Sequence, residues 1–286
     1  MISPLNFHKE IDLIISNAIR EDVGDGDHSS LACIPKKSFG KANLIVKSSG
    51  VLSGVEFALK VFKYVDPELQ VNIKINDGSN IKIGDIVFEV VGSQQSILKS
   101  ERLVLNAMQR MSAISTKTAK FVNLLNGTKT KILDTRKTTP GIRALEKWAV
   151  SIGGGVNHRF ALYDMIMLKD NHIDFSGGIT SALNKTVKYL NDNNLDLKII
   201  VEARNIAEID EILRHGGANR ILIDNFSLSE TKKAVEFIAG RCMTESSGGI
   251  NEITLRDYAE CGVDYISSGS LTHSVSNLDL SLKAIK

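Results

Sequence analysis

Between residues 7 and 20 the apolar positions Ile11, Leu13, Ile14, Ile15, Ala18 and Ile19 recur at helical spacing and stop at acidic Glu21 and Asp22, which predicts a docking helix. From residue 40 to 91 short β-rich runs (42–46, 71–75, 86–91) alternate with glycine turns at Gly50, Gly54, Gly78 and Gly84, around a helical stretch at 55–64. That alternation suits a small α/β sandwich. The period turns helical again over 96–125, with Leu98, Leu103, Leu105, Ala107, Met108 and Met111 at helix spacing, so a domain boundary is expected near residues 112–116.

After Lys129 the pattern becomes strand then helix, repeated. Strands are predicted at 131–135, 155–158, 165–169, 198–203, 220–224, 242–246 and 265–268, with helices at 142–152, 179–189, 206–215, 228–239 and 255–261. Strands separated by helices call for parallel pairing, in a barrel or an open doubly wound sheet. No G-x-G-x-x-G follows the first strand, which weighs against a dinucleotide-binding sheet. Seven candidate strands are one short of a closed (β/α)8 barrel.

Chain length and charge narrow the picture. At 286 residues one barrel plus a smaller module is the natural division, and a net charge of +2 with few aromatics gives no nucleic-acid footprint. Cys33, Cys242 and Cys261 are odd in number and lack metal-ligand spacing, which fits a reducing cytoplasm. The first twenty residues lack a signal-peptide pattern, and no apolar run is long enough to span a bilayer, so no membrane association is expected. The loop at 21–30 (EDVGDGDHSS) is acidic but lacks the EF-hand ligand pattern and closing glutamate, so it reads as a turn with satisfied aspartates.

The candidate chemistry lies where apolar runs end. Arg136 and Lys137, His158 and Arg159, and Lys169 and His172 each follow such a run. In a barrel, strand C-termini converge on one mouth, and so much positive charge together calls for an anion with several negative groups. Farther along the sign reverses, with Glu202 and Asp224 each closing an apolar strand. Two carboxylates there could hold sugar hydroxyls or a divalent cation, stabilise an oxocarbenium-like centre, or pair with the cations. The small-residue turns Ser247-Gly248-Gly249 and Ser268-Gly269-Ser270 follow the last two strands, where barrels commonly seat phosphate. His273 could cap or reach such a phosphate, while His8 and His215 read as surface residues. No HExxH, Cys/His cluster or GxSxG occurs, so zinc and serine hydrolysis find no support.

These residues carry a resemblance. The segments DTRKTTPG (134–141), GGGVNHR (153–159), LKDNH (168–172), Val201-Glu202, Asp224-Asn225, SGGI (247–250) and GVDYIS (262–267) resemble the quinolinate phosphoribosyltransferase family, as do Glu101-Arg102, Leu105-Asn106, Gln109-Arg110, Glu21-Asp22 and Gly26-Asp27. The likeness spans nearly the whole chain. Ala113, Ser246 and the His28-Ser29-Ser30 turn depart from the usual pattern without removing a charged site residue.

The resemblance implies an α/β fold, an N-terminal α/β sandwich domain (1–113) plus an incomplete, open α/β barrel (114–274), with a C-terminal helix at 275–286 packing back on the first domain. It implies a cytoplasmic homodimer with shared active sites. The implied reaction joins quinolinate to phosphoribosyl pyrophosphate with Mg2+, giving nicotinate mononucleotide, pyrophosphate and CO2 for NAD biosynthesis. Carried over residue by residue, Arg102 of the partner subunit, Arg136, His158, Arg159 and Lys169 would hold quinolinate, with Thr135 also at the substrate. Lys137 would meet the pyrophosphate, and Glu202 and Asp224 the ribose and its Mg2+. Ser247, Gly248, Gly249, Ser268, Gly269 and Ser270 would seat the 5-phosphate, leaving His273 open.

Four rival readings stand beside this one. A related pyrophosphorylase-like protein of molybdate metabolism, or a nicotinate phosphoribosyltransferase that does not decarboxylate, would share the fold. A barrel aldolase would use Lys169 as a Schiff base, which borohydride trapping with a carbonyl substrate detects. A non-catalytic anion binder would take up quinolinate yet release no CO2.

Overall fold

In the computed structural model, which describes residues 4–285 and the side chains of residues 7–285, the chain forms two compact units. In chain order the first elements are α1 (Pro4–Val23), α2 (His28–Cys33), β1 (Phe39–Val46), β2 (Gly50–Val51), α3 (Val55–Val65), β3 (Gln70–Ile73), β4 (Asn80–Ile81), β5 (Ile86–Ser93) and α4 (Gln94–Leu124). Then follow β6 (Lys131–Leu133), α5 (Arg143–Ile152), β7 (Ile166–Leu168), α6 (Asp170–Ser176), α7 (Ile179–Asp192), β8 (Ile199–Ala203) and α8 (Ile206–His215). The last are β9 (Arg220–Asp224), α9 (Leu228–Ile238), β10 (Met243–Ser247), α10 (Leu255–Glu260), β11 (Tyr265–Ser267), α11 (Ser270–His273) and β12 (Leu280–Ile285). No helix among the described residues is long and apolar enough to cross a membrane.

The sandwich unit contains the described residues up to Ala119, Lys137–Gly154 and the described residues from Leu271 onward. Its antiparallel sheet runs β12-β1-β5-β3. Phe57, Phe62, Phe88, Met108, Met111 and Ile114 are fully buried in its core, with the Phe62 and Phe88 rings edge to face at 5.7 Å. Fully burying each such side chain contributes about 1.5–3 kcal/mol. The C-terminal segment is a strand, not the expected helix at 275–286. Leu280 and Leu282 alternate with Ser281 and Lys283, a period of two, and pair antiparallel with Val46 and Leu44 of β1. The acidic loop is shorter than the sequence suggests: α1 runs to Val23, and Asp27 caps α2 by accepting from Ser30 N at 3.1 Å. Among the described residues no group of three or more His, Cys, Asp or Glu side chains could hold a metal.

The barrel unit comprises Lys120–Arg136 and Gly155–Ser270. Its parallel strands lie in the order β6-β11-β10-β9-β8-β7. Residues 155–158, expected as a strand, make only a single parallel bridge, Val156 to Leu133 on β6. That segment and β7 are the two ends of an open barrel of six strands. All five residues of β8 are buried, as a strand covered on both faces requires.

Two assignments to units differ from the division at residue 113. Helix α5, predicted as the first barrel helix, groups with the sandwich unit because it packs there: Trp148 meets Phe7 edge to face at 5.3 Å, and Ser115 Oγ donates to Ala149 O at 2.7 Å. At its end Gly153 lies so close to α4 that an added Cβ would sit 2.5 Å from Ser115 O, so only glycine fits. The chain passes from one unit to the other within α4, at Ala119, where no sequence break marks it.

Candidate active site

In a parallel sheet, residues paired across strands share a face, and so do residues two apart along one strand. Leu222 of β9 pairs with Glu202 on β8 and Glu245 on β10, and Glu245 pairs with Tyr265 on β11. Ser247 pairs with Asp224. One face of the sheet therefore carries Glu202, Arg220, Asp224, Glu245, Ser247 and Tyr265. Val156 pairs with Leu133, so His158, two residues on, is directed to that face as well.

At the strand ends Glu202 is buried, with Oε2 3.4 Å from Lys169 Nζ and Oε1 accepting from Asp170 N at 3.3 Å. Burial raises the Glu202 carboxyl above its ordinary value; Lys169 and the Asp170 N–H pull it back, and Asp224 pushes it up again. Asp224 Oδ2 accepts from Asn225 Nδ2 at 2.6 Å. Asn225 sits in the left-handed region (φ 57°), and its backbone N donates to Ser247 O at 3.0 Å. Asp224, Asn225 and the Ser247-Gly248 turn are thus one hydrogen-bonded unit.

On the cationic side Asp134, fully buried after β6, organises the 155–159 segment. Its Oδ1 accepts from His158 N at 2.8 Å and its Oδ2 from Asn157 Nδ2 at 2.6 Å. Arg159 is buried and donates Nη1 to Met165 O at 3.2 Å. Burial, then repulsion from Arg136, lower its guanidinium pKa, with Asp164 opposing. Arg136 is half-buried and its Nε, fully buried, has no partner among the described residues. A buried guanidinium donor beside a second guanidinium is an anion-binding arrangement. Thr135 is half-buried next to them, and Lys169 is half exposed.

The other expected residues fall as follows. Ser268 is buried, its N donating to Leu133 O at 3.0 Å, and its hydroxyl lies 2.9 Å from Ser270 Oγ. Gly249 is exposed and Gly269 half-buried. His172 caps α6, its Nδ1 accepting from Lys169 N at 3.2 Å, so local structure accounts for this member of the expected cationic cluster. In the sandwich unit Arg102 lines a cavity of about 400 Å³ with Glu21, Asp22, Asn106 and Arg110. Lys137 is exposed, and its carbonyl accepts from Thr272 Oγ1 at 2.8 Å. His273 is exposed, with Nδ1 2.6 Å from Ser274 Oγ.

Sequence reasoning missed two buried clusters. In the barrel, Glu245 is fully buried, accepts from Arg220 Nη1 at 2.7 Å and faces His158 Nε2 at 3.2 Å. In the sandwich unit, fully buried Glu146 accepts from Arg110 Nε and Nη2 at 3.0 and 2.8 Å, and from Thr139 N and Oγ1 at 3.0 and 2.8 Å; Arg110 also donates to Thr272 O. The available signal at position 146 was a charged residue on the apolar face of a helix; β10, MTESS, gives none at position 245.

Residues 27–112 match the family description "Quinolinate phosphoribosyl transferase, N-terminal domain" and residues 114–283 the corresponding C-terminal domain. The chain is 42% identical to a Nicotiana tabacum protein named quinolinate phosphoribosyltransferase [decarboxylating] 1b, covering 96% of this chain and 83% of that one. It is 37% identical to a Bacillus subtilis protein named probable nicotinate-nucleotide pyrophosphorylase [carboxylating], covering 96% and 93%. A crystal structure of NadC from Streptococcus pyogenes superposes with a TM-score of 0.90 at 38% identity, covering 100% of this chain and 99% of that one.

Proposed function

Because the chain belongs to the quinolinate phosphoribosyltransferase family, we propose that it catalyses decarboxylating phosphoribosyl transfer from phosphoribosyl pyrophosphate to quinolinate. The products are nicotinate mononucleotide, pyrophosphate and CO2, within NAD biosynthesis. The observation that carries the site assignment is the Arg136–Arg159 pair, in which one buried guanidinium Nε lacks a partner and the other guanidinium is lowered by its neighbour. A two-carboxylate acid supplies the missing charge.

In this reading Arg136, Arg159 and Lys169 orient quinolinate so that its ring nitrogen faces C1 of the ribose, with Thr135 and His158 supporting that pocket. As the C–O bond to pyrophosphate breaks, positive charge builds on the ribose, and Glu202 and Asp224 stabilise it. Lys137 takes the departing pyrophosphate. The turns 247–249 and 268–270 receive the 5-phosphate. Once the ring nitrogen is quaternary, the adjacent carboxylate leaves as CO2, because that charge stabilises the carbanion, which then takes a proton from water to give the product C–H. Glu202 and Asp224 would hold Mg2+ as a pair of carboxylates, and the ion would neutralise charge on the pyrophosphate.

Arg102, exposed on α4, is proposed to reach the acid substrate of the partner subunit in a homodimer. The proposed compartment is the cytoplasm, supported by three free thiols.

The deciding measurement is CO2 release with quinolinate, phosphoribosyl pyrophosphate and Mg2+, set beside turnover of nicotinate. A site built for two carboxylates rejects the acid lacking one by about 10⁴ in kcat/KM. Equal values for the two acids would overturn the quinolinate assignment in favour of a phosphoribosyltransferase that does not decarboxylate.

A further inference from the structure

Beneath the strand ends lies a buried charged cluster that the reaction does not call on directly. Glu245 is fully buried between Arg220, whose Nη1 donates to its Oε2 at 2.7 Å, and His158, whose Nε2 lies 3.2 Å from the same oxygen. The Arg220 guanidinium stacks on Tyr265, its Cζ 4.1 Å from the ring centre. Burial would raise the Glu245 carboxyl, but His158 and Arg220 outweigh it and hold the group below its ordinary value. A buried carboxylate held ionised in this way is a fixed negative charge aimed at one edge of the imidazole.

The other edge is committed too. His158 Nδ1 accepts the backbone N–H of Arg159 at 2.6 Å. A nitrogen that accepts carries no proton, so the ring proton sits on Nε2, the edge that lies 3.2 Å from Glu245 Oε2 outside hydrogen-bond geometry and within reach of its charge. Two carboxylates therefore act on one short segment: Asp134 accepts from the Asn157 side chain and the His158 backbone N–H, and the Glu245 charge faces the ring at 3.2 Å. This matters because residues 155–158 have a single bridge in place of a strand ladder. Beyond the two backbone bonds at Val156, side chains set where Arg159 begins.

We infer that Glu245, balanced by Arg220, is a positioning residue that fixes the Nε2–H tautomer of His158 and through it the backbone of Arg159, so that the Arg159 guanidinium meets the acid substrate in one orientation. This rests on the proposed function for the identity of the substrate. His158 then also acts on the acid through Arg159.

The test has two arms on the full-length protein. In the first, ¹⁵N-histidine spectra at neutral pH, with the His158 signals assigned by their loss in His158→Gln, should show Nε2 protonated and Nδ1 bare; Glu245→Leu should abolish that fixed tautomer. In the second, Glu245→Gln, which preserves shape, should raise the KM for quinolinate about tenfold while leaving that for phosphoribosyl pyrophosphate within about twofold, the size of effect expected when a binding group is misplaced. Combined with Arg159→Lys it should add little further, since the two act through one group. A wild-type His158 protonated on Nδ1, or a Glu245→Gln enzyme with an unmoved quinolinate KM, would overturn the inference. If the protein fails to turn over quinolinate at all, the proposed function falls, while the spectra still decide the tautomer.

Discussion

Asn225 occupies the space that a side chain on Gly248 would need: a Cβ built there would lie 2.1 Å from Asn225 Oδ1 and 2.9 Å from its backbone N. Gly248 also has φ +98°, a conformation L side chains rarely adopt. Because Asn225 in turn holds the Asp224 carboxylate, the turn and the acidic half of the site are mechanically linked.

Gly248→Ala should therefore damage catalysis more than folding. The strained backbone costs about 1–3 kcal/mol, and displacement of Asn225 releases Asp224. A fall of about a hundredfold in kcat/KM is expected from misplacement of this size. Steady-state kinetics beside urea denaturation checks it, and unchanged kinetics would remove the link between turn and carboxylate.

Glu202→Gln should stabilise the protein while disabling it. The folded-state carboxyl pKa is raised, so the folded protein favours the protonated form and loses stability as pH rises through that value. Glutamine removes the loss. The variant should melt above the parent at neutral pH, with the gap closing below the ordinary carboxylate range, and its kcat should fall about a hundredfold. Thermal melts at both pH values with initial rates measure this; a gap independent of pH would mean that ionisation of Glu202 is not its source.

Glu146 anchors four donors in the sandwich unit, so Glu146→Ala leaves Arg110 and Thr139 without their acceptor. Breaking a buried pair on one side costs about 3–5 kcal/mol. Replacing both partners, Glu146→Met with Arg110→Met, should recover part of that loss. Denaturant titration reads both, and a double variant no more stable than the single would show that the charge pair itself supplies the stability.

The shared-site proposal for Arg102 has a direct check. Arg102→Ala and Lys169→Ala proteins, each inactive alone, should regain partial activity when mixed under conditions of subunit exchange, since a hybrid dimer holds one intact site. No recovery despite demonstrated exchange would confine each site to one chain.

The periodic patterns determined most of the elements. Helices α7, α8 and α9 and strands β8 and β9 lie within a few residues of their sequence assignments, because long apolar repeats at 3.6 or 2 residues admit few foldings. Strand ends likewise marked Arg136, Arg159, Lys169, Glu202 and Asp224 as candidates, since a charge closing a buried run needs a mouth to face. Tertiary structure alone decided three things. The tail became a strand because β1 offered an edge to Leu280 and Leu282, a pairing between residues more than two hundred positions apart. Helix α5 joined the sandwich unit through Trp148 and Gly153, contacts that no local spacing encodes. Glu245 and Glu146 drew no notice along the chain; the fold brought Arg220, His158 and Arg110 to them, because a buried charge is stable only with partners that chain topology supplies.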